Sequence, residues 1–512
     1  MNPKELTILL RDAAESGVSI WTENDRVCYR SDRGPLPESL RSRLKSKKGE
    51  LLAELSRPVY DRRRCLLSEI RVPPDMSGWW NEVAANRVVA NSLHVVVRIR
   101  GNFSIERIIF LFRSAFHRHD LLRARTVMRG DSPFLIFDGV WEPSSMMREP
   151  FLHAPQGWSE VNTFIEKVVW DSSPGDALFR AFLFRLAPRE CVVGFVLNHF
   201  VGDVHSCQIL AGEILAKIRR PGEKVASVPP PLQYSEYLRA RAEWLQGAGA
   251  QHRFAYWKEH MEGSRAVQLP GAREVVVGRV GTMESVSFEI PAELRERLAR
   301  VAAECRATIS AVLLAAKFAA LFEMTQRTDL VVILVISGRD QAATTDMVGN
   351  TVDHLPLRLA VVGGMTLMEL VNRVQDAYIV GCKYRIPWGL LLDAMRAVGA
   401  SDVSPLFNLI SVGDLAPSEE HPVAENDLIV IEDVAVKKPP EQGGVTWHSS
   451  HEMHLCDSGS RIQGLVKFMT TRYAREVVEK FVARFAFHVE RLAKQPRSMV
   501  GVAGARAGPA AC

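Results

Sequence analysis

The spacing of apolar residues changes repeatedly along the chain, between the alternation of a strand and the three-to-four-residue repeat of a helix. Three apolar runs predict strands, at 93–99, 192–197 and 330–336. An amphipathic helix is predicted over 105–117, and a strongly apolar helix over 311–322 with Thr308 or Ser310 as its N-cap. Helices and strands that alternate in this way are typical of α/β sandwiches.

The N-terminal stretch has a pattern of its own. Apolar side chains at helical spacing predict a first helix, and they are Leu6, Leu9, Leu10, Ala13 and Ala14. Alternating residues on either side of the polar turn 23–25 predict a hairpin. Pro37 starts a second helix, which is basic on one face and has its apolar face formed by Leu40, Leu44, Leu51, Leu52 and Leu55. We therefore expect residues 1–58 to form a separate small α-β-β-α module.

The rest of the chain divides at breaks in this pattern. Pro58 and the polar run 61–64 predict a linker over 59–65. A proline-rich segment at 229–231 marks the expected crossover between a first lobe, 66–228, and a second lobe, 229–496. The last residues, 497–512, are rich in glycine and alanine and predict a disordered tail.

Composition excludes several classes of function. The 512 residues are 47% hydrophobic and 24% charged, as in a globular protein with two or three packed units. A net charge of +5 predicts no general affinity for nucleic acid or membranes. Eight cysteines without a CxxC pair, no apolar signal segment, and a longest apolar run that Lys317 interrupts together predict a cytoplasmic protein with reduced thiols.

The most informative candidate chemistry lies at 198–203, in the segment Asn-His-Phe-Val-Gly-Asp. The buried run 191–197 delivers His199 to its end, and Asp203 follows four positions later. An imidazole is available in its neutral form near pH 7 and can accept a proton from an attacking nucleophile. This segment therefore predicts a site of proton transfer.

The segment resembles the HHxxxDG signature of the condensation domains of nonribosomal peptide synthetases, with Asn198 for the first histidine and Val204 for the glycine. Other stretches are similar to that family in the same order. They are Arg-His-Asp-Leu-Leu-Arg at 118–123, Gln-Tyr-Ser-Glu-Tyr at 233–237, Tyr-Trp-Lys at 256–258, and 348–358, which resembles IGxFVNTLPLR with Asp353 for its asparagine. The resemblance covers about 66–492.

The resemblance implies an α/β fold in which two chloramphenicol-acetyltransferase-like sandwich lobes form a V-shaped pseudo-dimer with a tunnel between them. His199 is then expected to face the tunnel, either as the base or by positioning the acceptor. Asp203 is expected to pair with an arginine, for which Arg339 is the candidate, and Asn198 to support the loop. Residues expected along the tunnel are Val204, Gly349 and Asp353.

The N-terminal module resembles the β-hairpin docking domains of some synthetase subunits. These accept an acidic C-terminal tail from an acyl or peptidyl carrier protein, which adds a strand to the hairpin. The residues expected to dock the tail are Arg26, Val27, Tyr29, Arg30, Lys45, Lys47 and Lys48. The alternative is a solvated charged helix without a partner.

Other chemistries lack support in the sequence. There is no GxxxxGK[ST], GxGxxG or GxSxG segment. His448, His451 and His454 with Cys456 suggest a metal, but steps of three place successive histidines on opposite faces of a strand, so no metal is expected.

The function implied by the resemblance is acyl transfer in natural-product biosynthesis. Without adenylation or carrier-protein motifs, the chain resembles a free-standing condensation enzyme. It would transfer an acyl, peptidyl or polyketidyl chain from the phosphopantetheine thioester of a carrier protein to an amine or hydroxyl acceptor, in chain release or in elongation, with no bound cofactor. Two alternatives are a CoA-dependent acyltransferase and a non-catalytic docking scaffold.

Overall fold

The structure is a computed structural model of the whole chain. It describes residues 9, 18–23, 26–31, 35–49, 69–72, 92–130, 132–137, 161–166, 178–219, 230–273, 282–339, 341–400, 404–411, 429–433 and 449–501.

The N-terminal module contains the predicted hairpin. Strands β1 (Val18–Glu23) and β2 (Arg26–Ser31) pair antiparallel, and helix α1 (Glu38–Ser46) follows. A small core joins the three elements and Leu9, and its buried members are Leu9, Val18, Leu40 and Leu44. The rest of the predicted first helix, and Leu51, Leu52 and Leu55 of the second, lie outside the described residues.

The first lobe is built on a four-stranded sheet in the order β13-β4-β8-β7. Its strands are β4 (Ser92–Arg100), β7 (Phe179–Ala187), β8 (Glu190–Asn198) and β13 (Val430–Asp433). Helices α2 (Ile105–Arg118) and α3 (Val204–Arg219) pack on one face, and residues of 161–166 pack on the other. Strand β8 is covered on both faces, which explains its nearly continuous apolar run.

A smaller three-stranded sheet accompanies this lobe, in the order β3-β6-β5. Its strands are β3 (Glu69–Arg71), β5 (Arg125–Arg129) and β6 (Ser132–Ile136). A 3₁₀ helix, Asp120–Arg123, leads from α2 into β5.

The second lobe is built on a six-stranded sheet in the order β11-β10-β12-β14-β15-β9. Its strands are β9 (Met283–Ile290), β10 (Asp329–Ile336), β11 (Asp353–Ala360), β12 (Ser404–Ser411), β14 (Ser449–Asp457) and β15 (Ile462–Met469). The helices of this half of the chain are α4 (Tyr234–Leu245), α5 (Ala248–Met261), α6 (Ala292–Glu304), α7 (Ile309–Thr325), α8 (Leu367–Lys383), α9 (Trp388–Ala397) and α10 (Arg475–Lys494). Strands β10, β12 and β14 run parallel to one another.

Helix α7 is the centre of the second core. It is buried throughout 311–322 because it contacts α6, α8 and α10 as well as the sheet, so an apolar surface all round is required. Of the two predicted caps, Thr308 is the observed one, and its hydroxyl accepts a hydrogen bond from the Ala311 amide at 3.1 Å. Lys317 donates to the Leu406 carbonyl at 2.6 Å, and burial lowers the pKa of this lysine well below its ordinary value.

Among the described residues, no single helix has the length and apolar character needed to cross a membrane. Helices α6 and α7 meet that requirement only as a pair, and they are bent by 101° relative to each other.

The expected lobe boundary at 228/229 is displaced in the structure. Tyr234 and Leu238 of α4 are buried in the core of the first lobe, so this lobe extends past the proline-rich segment. Met347 and Val348 also pack in that core, and β13 adds a strand to the first sheet by pairing with β4. The lobes therefore exchange segments, which local patterns along the chain do not reveal.

The predicted start of the disordered tail, at residue 497, is also wrong, because residues 498–500 are attached to the second lobe. The Ser498 carbonyl accepts a hydrogen bond from Leu367 at 3.0 Å, Met499 forms a bridge with Thr366, and Val500 is fully buried. An apolar side chain and available backbone groups attach this segment to the start of α8, despite its glycine-rich surroundings. Residues 502–512 lie outside the described residues.

We expect Gly349→Ala to destabilise the protein by about 1–3 kcal/mol, the usual cost of overpacking. A Cβ at this position would overlap the Tyr234 ring between the lobes. The measurement is the shift of the urea unfolding midpoint. The matched control is Gly212→Ala in α3, where a Cβ meets no atom within 4 Å, and the helix should gain up to about 1 kcal/mol. Equal effects of the two changes would contradict the predicted contact.

Candidate functional site

The loop from β8 to α3 is closed by Asn198. Its side-chain oxygen accepts a hydrogen bond from the Phe200 amide at 2.9 Å, and its carbonyl accepts bonds from the amides of Val201 and Gly202. An asparagine at the end of a strand forms this type of turn readily, because its side chain reaches its own backbone two residues on. Asn198 thus shapes the loop that carries His199.

The imidazole of His199 is fixed by its own loop. Nδ1 lies 2.9 Å from the Gly202 carbonyl oxygen, which accepts hydrogen bonds only. Nδ1 must therefore carry the hydrogen, and in the neutral ring Nε2 is the nitrogen with the lone pair. In this tautomer the neutral ring accepts a proton at Nε2.

Asp203 caps helix α3. Its Oδ1 accepts a hydrogen bond from the Ser206 amide at 2.7 Å and from the Ser206 hydroxyl at 2.6 Å. This satisfies an amide of the first helical turn that has no partner within the helix. The same carboxylate is 2% exposed, so its charge requires compensation.

The compensation comes from Arg339, which follows β10 in the second lobe. Its Nη2 donates to both oxygens of Asp203 at 2.9 Å, and its side chain is 5% exposed. The guanidinium also donates to three carbonyls of the loop after it, those of Thr344, Met347 and Gly349, at 2.6–2.8 Å. One arginine therefore holds its own loop and joins it to α3.

Residues 349–351 complete the connection between the lobes. The Thr351 amide donates to Asp203 Oδ2 at 3.2 Å, and the Gly349 amide donates to the Ser206 hydroxyl at 3.0 Å. The Asn350 side chain donates to the His199 carbonyl at 3.1 Å, and the Asn350 amide donates to the Val201 carbonyl at 2.6 Å. The backbone of the loop is thus held by the second lobe at His199 and at Val201.

Sequence reasoning missed Ser206, Asn350 and Thr351 as members of this site. A signal existed for Ser206, since an aspartate three positions before a serine at a helix start is a capping pattern. Asn350 and Thr351 act across more than 140 residues of chain, and no local pattern indicates such a partner.

The three expected tunnel residues occupy different environments. Val204 is the first residue of α3 and is half-buried. Gly349 lies against the Tyr234 ring, and Asp353 is buried with its Oδ1 accepting a hydrogen bond from the His354 amide. A tunnel stays a prediction, as does the V shape. An open cavity of about 540 Å³ lies elsewhere, at the turn before α8, and none of its lining residues belongs to the loop of His199.

Two further segments that resemble the family, at 118–123 and 233–237, are joined by hydrogen bonds, and the first of them also binds α3. The Asp120 carboxylate accepts hydrogen bonds from the amides of Tyr234 and Ser235, and the Asp120 amide donates to the Gln233 side chain at 2.8 Å. Arg118 and His119 both bind Glu213 of α3. Burial alone would raise the pKa of Glu213, but the hydrogen bond from His119 and the charge of Arg118 outweigh it and lower this pKa. These segments position α3 and α4 and carry no exposed reactive group.

The expected docking residues are partly described. Tyr29 is 49% exposed and Val27 is half-buried on the hairpin. Lys45 and Lys48 are exposed and Lys47 is half-buried. The side chains of Arg26 and Arg30 lie outside the described part of the molecule. Docking by these residues stays a prediction.

The histidines considered as metal ligands point in different directions. His451 is buried on the helix side of β14 with its ring against Phe481, and burial lowers its pKa well below the ordinary value. His454 lies on the opposite face of the same strand, half-buried. His448 is outside the described ranges. In those ranges no three side chains of histidine, cysteine, aspartate or glutamate come together as a metal site.

The arrangement of His199, Asp203 and Arg339 between two α/β lobes can be compared with known proteins. The family model of the condensation domain matches residues 82–502. The chain belongs to the condensation-domain family. A second model, of the TubC N-terminal docking domain, matches residues 7–56. Members of the condensation-domain family act in nonribosomal peptide and polyketide biosynthesis.

Curated relatives of this condensation domain are much longer proteins. One of the linear gramicidin synthase proteins of Brevibacillus parabrevis is 23% identical over 427 residues, which are 82% of this chain and 8% of that protein. Another protein of the same synthase is 30% identical over 329 residues, which are 62% of this chain and 6% of that protein. The chain spans less than a tenth of the length of either relative.

Solved structures confirm the expected α/β fold class. The condensation domain of chain release from the enacyloxin polyketide synthase has a TM-score of 0.64 at 16% identity, covering 100% of this chain and 98% of that one. The X-domain from teicoplanin biosynthesis has a TM-score of 0.66 at 17% identity, covering 84% and 96%. SgcC5 of Streptomyces globisporus has a TM-score of 0.62 at 19% identity, covering 80% and 94%.

We expect Arg339→Met to destabilise this condensation domain by about 3–5 kcal/mol, the cost of leaving a buried charge without its partner. The measurement is the urea unfolding midpoint. The control is Arg475→Met, which breaks ion pairs with Glu284 and Glu479 on the surface and should cost about 0–1 kcal/mol. Losses of similar size in the two variants would show that the Asp203–Arg339 pair does not hold the lobes together.

Proposed function

We propose that the protein is an acyltransferase. It takes an acyl, peptidyl or polyketidyl chain from the phosphopantetheine thioester of a carrier protein and gives it to an amine or hydroxyl acceptor, forming an amide or an ester. The observation that carries the proposal is the contact of His199 Nδ1 with the Gly202 carbonyl, because it leaves Nε2 as the proton-accepting nitrogen.

The proposed reaction has two steps, addition of the acceptor to the thioester carbonyl and loss of the thiol. Nε2 of His199 accepts the proton of the acceptor amine or hydroxyl as that group attacks the thioester carbonyl. The tetrahedral intermediate collapses by breaking the carbon–sulfur bond, and the proton passes to the departing sulfur. The products are an amide or ester and the free thiol of the carrier, so the step needs no other reactant.

The rigid frame around His199 supports the same proposal. The loop is fixed by Asn198 on one side and by hydrogen bonds from Asn350 on the other. A base that is held in place contributes through orientation as well as proton transfer, and orientation lowers the barrier of a two-substrate reaction substantially. Asn198 and Val204 differ from the family signature, yet one closes the turn and the other begins α3. This favours a working site over a degenerate scaffold.

Chain release onto a small acceptor is the form of the reaction that we favour. A structural neighbour that matches the whole length of this chain is a condensation domain that mediates chain release. The N-terminal docking domain is proposed to bind the acidic C-terminal tail of the upstream carrier protein. Strand addition to the hairpin would supply main-chain hydrogen bonds, and the basic face of α1 would orient the tail.

We expect His199→Ala to lower the rate of transfer from an acylated carrier protein by about 10²–10⁴, the usual contribution of a positioned base. Intact-protein mass spectrometry of the carrier measures the loss of the acyl group. The control is His205→Gln, since His205 lies close to His199 in the chain, in the first turn of α3, but contacts the Thr345 carbonyl. If wild type and His199→Ala consumed the acylated carrier equally slowly, this result would contradict the proposal that the protein is an enzyme and would favour a non-catalytic scaffold.

We expect the double change Lys45→Glu and Lys48→Glu to raise KM for the acylated carrier at least about tenfold, since each charge reversal opposes an acidic tail. Transfer from an acyl-CoA or a minimal acyl thioester should stay unchanged. Lys480→Glu on α10, also exposed, is the matched charge reversal. If the wild-type protein used acyl-CoA and the acylated carrier protein equally well, this result would contradict the docking proposal and would favour a CoA-dependent acyltransferase.

A further inference from the structure

The six-stranded sheet has a polar face that contains none of the site residues described so far. Along β14, His451, Met453 and Leu455 are buried on the side of the helices. Glu452 and His454 alternate with them and point to the opposite side, where their side chains are 15% and 29% exposed. Strands alternate their side chains between faces, so this second face holds charged and polar groups at half-burial.

The register of the strands extends this polar face into a row. Asn408 of β12 pairs with His454 of β14, and Val335 of β10 pairs with His354 of β11. Ile333 pairs with Leu406 in parallel strands, so Val335 and Asn408, each two residues further on, share the same level. The residues His354, Asn408 and His454, with Glu452 beside them, are called the polar row below; the apolar Val335 lies between His354 and Asn408.

At one end of the polar row, hydrogen bonds determine which nitrogen of the neutral His454 ring carries the hydrogen. His454 Nε2 lies 3.0 Å from Glu452 Oε2, and His454 Nδ1 lies 3.5 Å from Asn408 Nδ2. A carboxylate only accepts and an amide nitrogen only donates, so the neutral imidazole donates from Nε2 and accepts at Nδ1. Asn408 thereby keeps its amide oxygen on the side away from His454.

At the other end of the polar row, His354 lies against an aromatic side chain. The His354 ring lies 4.9 Å from the Trp388 ring at the start of α9. Burial lowers the pKa of His354 to about 4, so the ring is neutral at pH 7 and offers one donor and one acceptor. A neutral polar group beside an indole is suited to a ligand with both polar and apolar surface.

A short segment of chain, residues 350–354, leads from the His199 loop to the polar row. Asn350, Val352 and His354 are half-buried and alternate with the buried Thr351 and Asp353. The first of these, Asn350, donates to the His199 carbonyl. At about 3.3 Å per residue of extended chain, His354, at one end of the row, is roughly 13 Å further along. It also lies near the carboxyl ends of the parallel strands, where open α/β sheets bind ligands.

The charged and uncharged groups of the polar row indicate which chemical groups of a ligand it suits. Glu452 is directly opposite Lys467 on β15, so cross-strand pairing balances its charge. The rest of the row is an amide and two imidazoles. The Asn408 amide and the neutral His354 ring offer hydrogen bonds without charge, which suits hydroxyl groups better than ammonium or carboxylate groups.

We propose that the polar row is the acceptor subsite and that it binds neutral hydroxyl groups of the acceptor, at the end remote from the nucleophile that His199 serves. The inference rests on the proposed acyl transfer. Asn408 and His354 would then contact the hydroxyl groups and set specificity, and Trp388 would pack against the carbon skeleton of the acceptor. His454 would be a positioning residue, because its two nitrogens bind Glu452 and Asn408 and so hold the Asn408 amide in place.

The test uses a set of eight-carbon amines that differ only at the far end: octylamine, 8-amino-1-octanol, 1,8-diaminooctane and 8-aminooctanoic acid. Their binding to the full-length protein is measured by calorimetry, which needs no turnover. Wild type should bind the amino alcohol about tenfold more tightly than octylamine, and the diamine and amino acid more weakly than the amino alcohol. Equal binding of the four probes, or tightest binding of a charged one, would overturn the proposal.

Variants assign the preference to the polar row. Asn408→Leu and His454→Leu should each reduce the preference for the amino alcohol to about twofold or less, while His454→Asn should restore part of it. Asn372→Leu makes the same change at an exposed position of α8 and should leave the preference intact. An undiminished preference in both Leu variants, with folding verified by circular dichroism, would refute the assignment.

The same probes separate this inference from the proposed function. The amino-alcohol preference should survive in His199→Ala, because binding at the polar row does not require the base. A preserved preference in a wild-type protein that never consumes an acylated carrier would contradict acyl transfer and leave the ligand site standing. Transfer to octylamine and amino alcohol at equal KM would contradict the subsite and leave acyl transfer standing.

Discussion

The bond between Asp203 and Arg339 is the contact on which the candidate site depends. A carboxylate that caps a helix in the first lobe is held by a guanidinium from the second, and both side chains are almost fully buried. The arginine also satisfies three carbonyls of its own loop. Because the charges are desolvated, their geometry is restrictive, and small shifts between the lobes would leave polar groups without partners.

This dependence explains how the loop tolerates its departures from the family signature. The position of His199 is set by the Gly202 carbonyl, by the Asn198 turn and by Asn350 from the other lobe. A second histidine is not needed for any of these bonds. Val204 starts a helix whose cap is already supplied by Asp203, so its β-branched side chain does not interfere with the capping bond.

Local elements were readily predicted from the sequence, because alternation and helical spacing report burial directly. The hairpin, β8, α7 with its Thr308 cap and β10 all lie where their patterns indicate. The pairing candidates Asp203 and Arg339 came from the family resemblance, since 136 residues separate them. Asn350, Thr351 and the polar row were missed, because their roles arise from register and from contacts between lobes. Residues 498–500 were misjudged because one buried valine outweighs a flexible composition.

The pairing of β13 with β4 bears on how the chain folds during synthesis. Strand β4 emerges early, but the neighbour that covers its outer edge is made about 330 residues later. Until then the first sheet exposes unpaired backbone groups, which are a site for pairing with other chains. The first lobe cannot complete its sheet before most of the second lobe has been translated. The two lobes are thus one unit of biosynthesis, and a nascent chain arrested between them is a species for chaperones to protect.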